Sequence, residues 1–366
     1  MTGSVHSLRE RIDARVCQTV ALHFNPREGA PYWVEKAAAM HLDAPRAIRS
    51  LDDLALLGPM DSAALAQRPV EDFIPRRFLE QRARWIVAET GGTLGRPRFA
   101  VHREDEFQAA FVTPFVHAAR RVGFPRKLNW LFIGPSGPHI IGKAARDCAR
   151  ALGSADPFGV DFDPRWARKL PEHSAGRMRY LAHIEAQALN VLNTQTIGVL
   201  FATPPVLASL AKKIDPNRRA RIFGIHFGGM AVSTELRAQL SELFPAAAQL
   251  SGYGNTLFGV TPELSFRPET GIDYFPHGLR LVYRVVPRDI ENEQARIAQI
   301  VPKGERGQVL VHRLDETQFI ANMLERDTAV RVAPPDDAAA DEFVLEGLRD
   351  PQPIVDNAIQ PALGLY

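Results

Sequence analysis

Between residues 85 and 243, short apolar runs of strand type alternate with amphipathic runs of helix type, and no other feature constrains the fold as strongly. Strand-type runs lie at residues 128–133, 196–201 and 221–225; helix-type runs lie at 105–122, 141–152, 205–213 and 233–243. Apolar strands without polar alternation, separated by helices, are buried on both faces, which is the condition of a parallel sheet. The expected class is therefore α/β, with mostly parallel sheets flanked by helices. Residues 85–88 read as a short buried strand that enters this region.

The flanks differ from the centre. Residues 7–84 carry a helical pattern, clearest at 46–57, where Ser50 is a plausible cap; residues 69–75 read as an extended connector. After residue 249, short β-type runs at 279–287, 307–312 and 328–332 predict a smaller β-rich subdomain, and 334–341 predicts an exposed turn. The expected division is 1–84, helical; 85–248, α/β and binding nucleotide and acid; 249–347, β-rich and completing the nucleotide site; and 348–366, a hinge stub.

Composition narrows the function classes. With 366 residues the chain can bury a large core without staples, and 44 basic against 42 acidic side chains give no reason to expect a nucleic-acid or membrane surface. Cys17 and Cys148 are too few for a zinc ribbon or disulfide framework and read as buried thiols of a reducing compartment. The polar start shows no apolar signal core, and the most apolar stretch, 197–210, is interrupted by Pro204 and Pro205. A cytoplasmic protein is expected.

Familiar motifs fail first. There is no Walker-type phosphate loop, and Gly134-Pro135-Ser136-Gly137-Pro138 lacks the last glycine of a hydrolase nucleophile elbow. Two glycine-rich stretches remain. In Thr90-Gly91-Gly92-Thr93-Leu94-Gly95-Arg96-Pro97-Arg98, glycines permit close backbone approach while hydroxyls and guanidinium groups supply donors, the composition of a phosphate loop or of a tight surface turn. In Ser251-Gly252-Tyr253-Gly254-Asn255-Thr256, an aromatic ring between glycines can face a flat ring, or can simply pack.

In this order the stretches resemble the adenylate-forming superfamily of acyl- and aryl-CoA synthetases, nearest its phenylacetate–CoA ligase-like branch, and also short acyl-protein synthetases. Thr90 to Pro97 matches the family's T-S-G-T-T-G-K-P loop, and Tyr253-Gly254-Asn255-Thr256 matches part of Y-G-x-[ST]-E. The 223–229 segment, ending Phe227-Gly228-Gly229, resembles the strand and glycine turn beside adenine. Tyr274-Phe275-Pro276, the 304–311 run and Asp327 follow where that branch has H-F-Y-P, G-E-x-G-E-L-V and the ribose-binding aspartate; Leu348-Arg349-Asp350 sits where the hinge would begin.

The resemblance implies ATP as cosubstrate and a small carboxylic acid as substrate, giving acyl-AMP and pyrophosphate. Thr90, Gly92, Thr93, Arg96 and Arg98 would meet the phosphates, with Arg96 and Thr256 acting on the reacting phosphate. Tyr253, Gly228, Gly229 and Gly254 would hold adenine, and Asp327 the ribose. The acid pocket would be formed by Ser136, His139, Ile140, His226 and Phe227, suited to a flat, aromatic acid; for His139 and His226 packing is the alternative. Coenzyme A, a carrier protein, an amine or a partner protein's thiol are candidate acceptors.

Three departures bear on this. Leu94 replaces a loop threonine, and Leu257 stands where the family places its magnesium-binding glutamate, although hard cations require oxygen ligands. Magnesium use is expected to be weakened; Glu263 is the candidate substitute, against the plainer expectation of a solvated loop carboxylate. None of the seven lysines matches the lysine that the family's C-terminal domain supplies. A homologue with lost or rerouted chemistry, which binds nucleotide or acyl groups or works through a partner, is the alternative reading.

Overall fold

The computed structural model describes residues 7–91, 96–230 and 232–354. The fold is mixed α/β, helical towards the N-terminus and β-rich towards the C-terminus. Its described residues pack as two compact units: 7–87, 98–107 and 275–354 form one, and 88–91, 96–97, 108–230 and 232–274 the other.

The first unit opens with α1 (Leu8–His23), capped by a box in which the Ser7 hydroxyl accepts from Glu10 N and Glu10 reaches back to Ser7 N. Helix α2 (Pro31–Ala39) starts on proline, and its Trp33 indole donates to the Phe319 carbonyl at 3.2 Å. The 69–75 connector contains a 3₁₀ turn, Val70–Phe73, between its prolines. Strand β1 (Trp85–Glu89) pairs with β2 (Phe99–Arg103), and its middle is more open than its apolar sequence suggests: Val87 is 44% exposed.

The second unit is the α/β body. Strands β3 (Trp130–Gly134), β4 (Phe158–Asp161), β5 (Val199–Ala202), β6 (Gly224–Gly228) and β7 (Ala248–Asn255) run parallel in the order β4-β3-β5-β6-β7. Antiparallel β8 (Gly259–Arg267) and β9 (Gly271–Tyr274) extend the sheet beyond β7.

Alternation along the strands sends Leu131, Ile133, Leu200, Ala202, Ile225 and Phe227 to one face. There they meet apolar residues of α5 (Ala175–Thr194), α6 (Pro204–Ala211) and α7 (Thr234–Leu243), which follow α3 (Thr113–Arg121) and α4 (Ile140–Ala151) in the chain. The opposite face is aromatic: the Phe115 ring of α3 lies 5.8 Å from Trp130 and 4.8 Å from His226, and Phe132 lies 5.3 Å from Phe201. Burial on both faces explains the parallel order and its continuous apolar strands.

The first unit closes with an antiparallel meander of β10 (Leu281–Val286), β11 (Arg306–Leu314), β12 (Phe319–Val332) and β13 (Gly347–Pro353). Leu348, Arg349 and Asp350, read from sequence as the beginning of a hinge, lie within β13, with Arg349 opposite Val330. Among the described residues no helix is long and apolar enough to cross a membrane.

Candidate functional site

A pocket lies within the α/β unit, partly open to solvent. Phe201 of β5, His226, Phe227 and Gly228 of β6, Gly229 beyond it, Gly252, Gly254 and Asn255 of β7, and Thr256 just after it line the pocket, with Ile140 and Ile141 at the start of α4 and Phe111 before α3. It therefore sits at the C-terminal ends of parallel strands, where loops diverge and ligands of open α/β sheets bind.

Two glycines admit the close approach of β7 and β8 behind this pocket. A Cβ on Gly252 would stand 2.6 Å from Val260 Cγ2; one on Gly254, whose φ is +154°, would stand 2.0 Å from the Gly259 carbonyl oxygen. These glycines thus have a backbone-packing role besides whatever they offer a ligand. Gly229, with φ at +82°, turns the chain away from the end of β6.

Thr256 ties this turn to the base of the other glycine-rich stretch. Its hydroxyl donates to the Glu89 carbonyl at 3.3 Å, Glu89 N donates to the Pro138 carbonyl at 3.0 Å, and the Glu89 carboxylate pairs with the Arg165 guanidinium. Thr90, the next residue, is half-buried, and Arg96 is exposed. Gly92 and Thr93 lie outside the described residues.

Ile140, His226, Phe227, Gly228, Gly229, Gly254 and Thr256 thus share the pocket, whereas the other expected site residues that are described are not among its lining. Ser136 is exposed on its turn, and its backbone N donates to Asp161 Oδ1 at 2.9 Å. The Tyr253 ring is half-buried against the core, 6.0 Å from Tyr274. Arg98 and Asp327 belong to the other unit, where Arg98 Nη1 lies 3.8 Å from Met323 Sδ and Asp327 stands on β12 opposite Pro353. Sequence reasoning missed Phe111, Ile141, Phe201, Asn255 and Val260; the aromatic and branched residues had looked like ordinary core.

Both histidines are buried, in different circumstances. His226 Nδ1 lies 2.8 Å from the Leu250 carbonyl, and burial lowers its pKa to about 4, against the small opposing pull of that bond. His139 precedes α4 with neither ring nitrogen bonded; burial, then the nearby Arg165 charge, lowers its pKa.

The candidate metal position needs correction. Glu263 is not a solvated loop carboxylate: it is buried on β8, with Oε1 accepting from Arg237 Nη2 at 2.8 Å and Oε2 from Ser251 N at 2.9 Å. Burial pushes its carboxyl up, opposed by the Arg237 charge and the Ser251 bond. Leu257 is fully buried. Among the described residues no group of three or more histidine, cysteine or acidic side chains could hold a metal ion. These two positions do not fit a magnesium site.

No family model matches the sequence, and no curated protein matches it. Solved structures do match in shape. A 2-hydroxyisobutyryl-CoA ligase in complex with 2-HIB-AMP and CoA, in its thioesterification state, superposes with a TM-score of 0.65 at 18% identity, over 95% of this chain and 68% of that one. An open conformation of that ligase gives a TM-score of 0.62 at 16% identity, over 93% and 67%. The chain shares the fold of that ligase. At such identity the likeness fixes architecture, and chemistry has to be argued from the pocket.

Proposed function

We propose that this chain forms acyl-adenylates. A carboxylate oxygen of a small acid attacks the α-phosphorus of ATP, the bond to pyrophosphate breaks, and the acyl group of the resulting acyl-AMP passes to a thiol or amine. The observation that carries this reading is convergence: residues from the 134–141, 223–229 and 251–256 stretches line one pocket at the C-terminal ends of parallel strands. A surface turn or core packing alone would not bring three separate stretches to one cavity.

The walls suit an apolar acid, and Phe111, Phe201 and Phe227 favour a flat, aromatic one. Thr256 would orient the α-phosphate by exchanging its bond to the Glu89 carbonyl for one to the phosphate, with Thr90, Gly92, Thr93 and Arg96 on the other phosphates, because positioning and charge neutralisation dominate phosphoryl chemistry. Gly228, Gly229 and Tyr253 would meet adenine. Arg98 and the ribose partner Asp327 enter the proposal through sequence resemblance alone, as does the phenylacetate–CoA ligase-like branch. The ligase of similar fold was captured with CoA, which makes CoA the first acceptor to try, ahead of a carrier protein. A cytoplasmic setting fits the two free thiols, Cys17 and Cys148.

A second reading has its own support. Leu257 offers no oxygen and Glu263 is committed to Arg237, so the scaffold would bind nucleotide or acyl groups with adenylation lost or dependent on a partner. Pyrophosphate release with ATP, magnesium and a panel of aromatic and aliphatic acids separates the two. Acid-dependent release supports adenylation; ATP binding without release across the panel supports the second reading.

A further inference from the structure

The pocket holds one polar atom whose hydrogen-bonding state can be deduced. His226 Nδ1 faces the Leu250 carbonyl at 2.8 Å, and a carbonyl oxygen only accepts, so Nδ1 carries the proton. Nε2 is then a lone-pair acceptor. The ring is held between Phe201, at 4.3 Å, and Phe115, at 4.8 Å, on the aromatic face of the sheet, and it lines the pocket. Among the described residues no protein group bonds Nε2. Burial keeps the imidazole neutral near neutral pH, so this acceptor persists under working conditions.

The surrounding wall is largely apolar, and among the described residues no donor on it bonds Nε2. Phe111, Ile140, Ile141, Phe201, Phe227 and Val260 are apolar; the Thr256 hydroxyl is donated to Glu89, and Asn255 Oδ1 accepts from Leu257 N. A carboxylate presents only acceptors and has nothing to give Nε2. A hydrocarbon acyl group would cover Nε2, removing its access to water without supplying a partner, which is unfavourable.

We propose that the acid bears a hydroxyl or N–H on its acyl part and donates it to His226 Nε2, making His226 a specificity-determining residue. This rests on the acyl-adenylate reading, with the acid seated in this pocket. The bond selects hydroxylated or amino-substituted acids over isosteres that lack the donor, because only the former satisfy the buried nitrogen.

The test uses matched pairs on the intact protein: hydroxyphenylacetate against phenylacetate, and hydroxyisobutyrate against pivalate. Each acid is followed by pyrophosphate release and, separately, by calorimetric binding without ATP. The expected result is a preference of at least about tenfold for the hydroxylated member of one pair in the wild-type protein, lost in His226→Phe, which keeps an aromatic ring between Phe115 and Phe201. Equal use of both members of each pair overturns the inference while leaving adenylation standing, and so does a preference that survives in His226→Phe. Hydroxyl-dependent binding that vanishes in His226→Phe, without pyrophosphate release from any acid, removes the adenylation reading and keeps the inference. Absence of binding and release for every acid overturns both. Should His226→Phe fail to fold, the wild-type ratio decides.

Discussion

In the β-rich unit Asp315 is buried between two cations: Arg280 Nε donates to it at 3.0 Å and Arg313 Nε at 2.7 Å, while Arg313 Nη2 continues to the Val101 carbonyl at 2.7 Å. In the α/β unit, His139 and His226 are also buried, but His139 has two ring nitrogens and His226 one that no described protein group meets. The first arrangement matches its charges with one another and belongs to the scaffold. The second leaves polar capacity beside a cavity, where a ligand can use it. Burial is common to both; the difference lies in what has been satisfied.

The comparison can be broken most severely by removing a matched charge. Asp315→Ala removes the carboxylate that two buried guanidinium groups share and is expected to destabilise the β-rich unit by about 3–5 kcal/mol, read by denaturant unfolding. Stability within 1 kcal/mol of wild type, taking about that as the bound for an ordinary surface change, would show that Asp315 is not the centre of the cluster.

Gly254→Ala comes next. Its Cβ collides with the Gly259 carbonyl, so the turn between β7 and β8 must shift; a loss of more than ~2 kcal/mol and of any pocket-dependent activity is expected. Glu263→Gln sharpens the correction at the metal position. It should cost roughly 2–3 kcal/mol by weakening the bond to Arg237, with the magnesium dependence of any pyrophosphate release unchanged. A rise in the magnesium requirement without destabilisation would return Glu263 to the ligand set.

Acid is a gentler probe. Burial lowers His23 and His312 to about 3 and His226 to about 4, from an ordinary value of 6.5. Between 6.5 and those values the unfolded chain binds protons that the folded chain refuses. Stability is therefore fully present above about pH 6.5 and falls as the pH drops, by up to ~1.4 kcal/mol per pH unit for each histidine. His226→Phe should remove one histidine's share of that slope in unfolding curves taken at several pH values. The smallest effect expected is that of Thr256→Val, about 1 kcal/mol for the lost bond to Glu89, visible chiefly as slower pyrophosphate release.

Much of the central sheet was legible because a strand buried on both faces must be apolar without interruption, as residues 130–133 and 199–202 are. The long helix α5 was also legible in principle from Ile184, Ala188 and Leu192 at four-residue spacing, and was overlooked among its charged neighbours. Glu263 and Arg237 could not have been paired from sequence, since only the β7–β8 register and the position of α7 bring them together. Phe201 and Phe111 read as core residues because a pocket wall and a core have the same composition. The 90–98 loop, where the sequence spoke most clearly, contributes only its described ends to the structural account.

Detection of acyl-AMP by mass spectrometry, after incubating the intact protein with ATP, magnesium and the hydroxylated acids, tests the account most directly. The account predicts a mass for the adenylate of at least one acid, absent when ATP is omitted. Folded protein that binds ATP and these acids yet yields no adenylate would contradict it, leaving a binding scaffold in place of an enzyme.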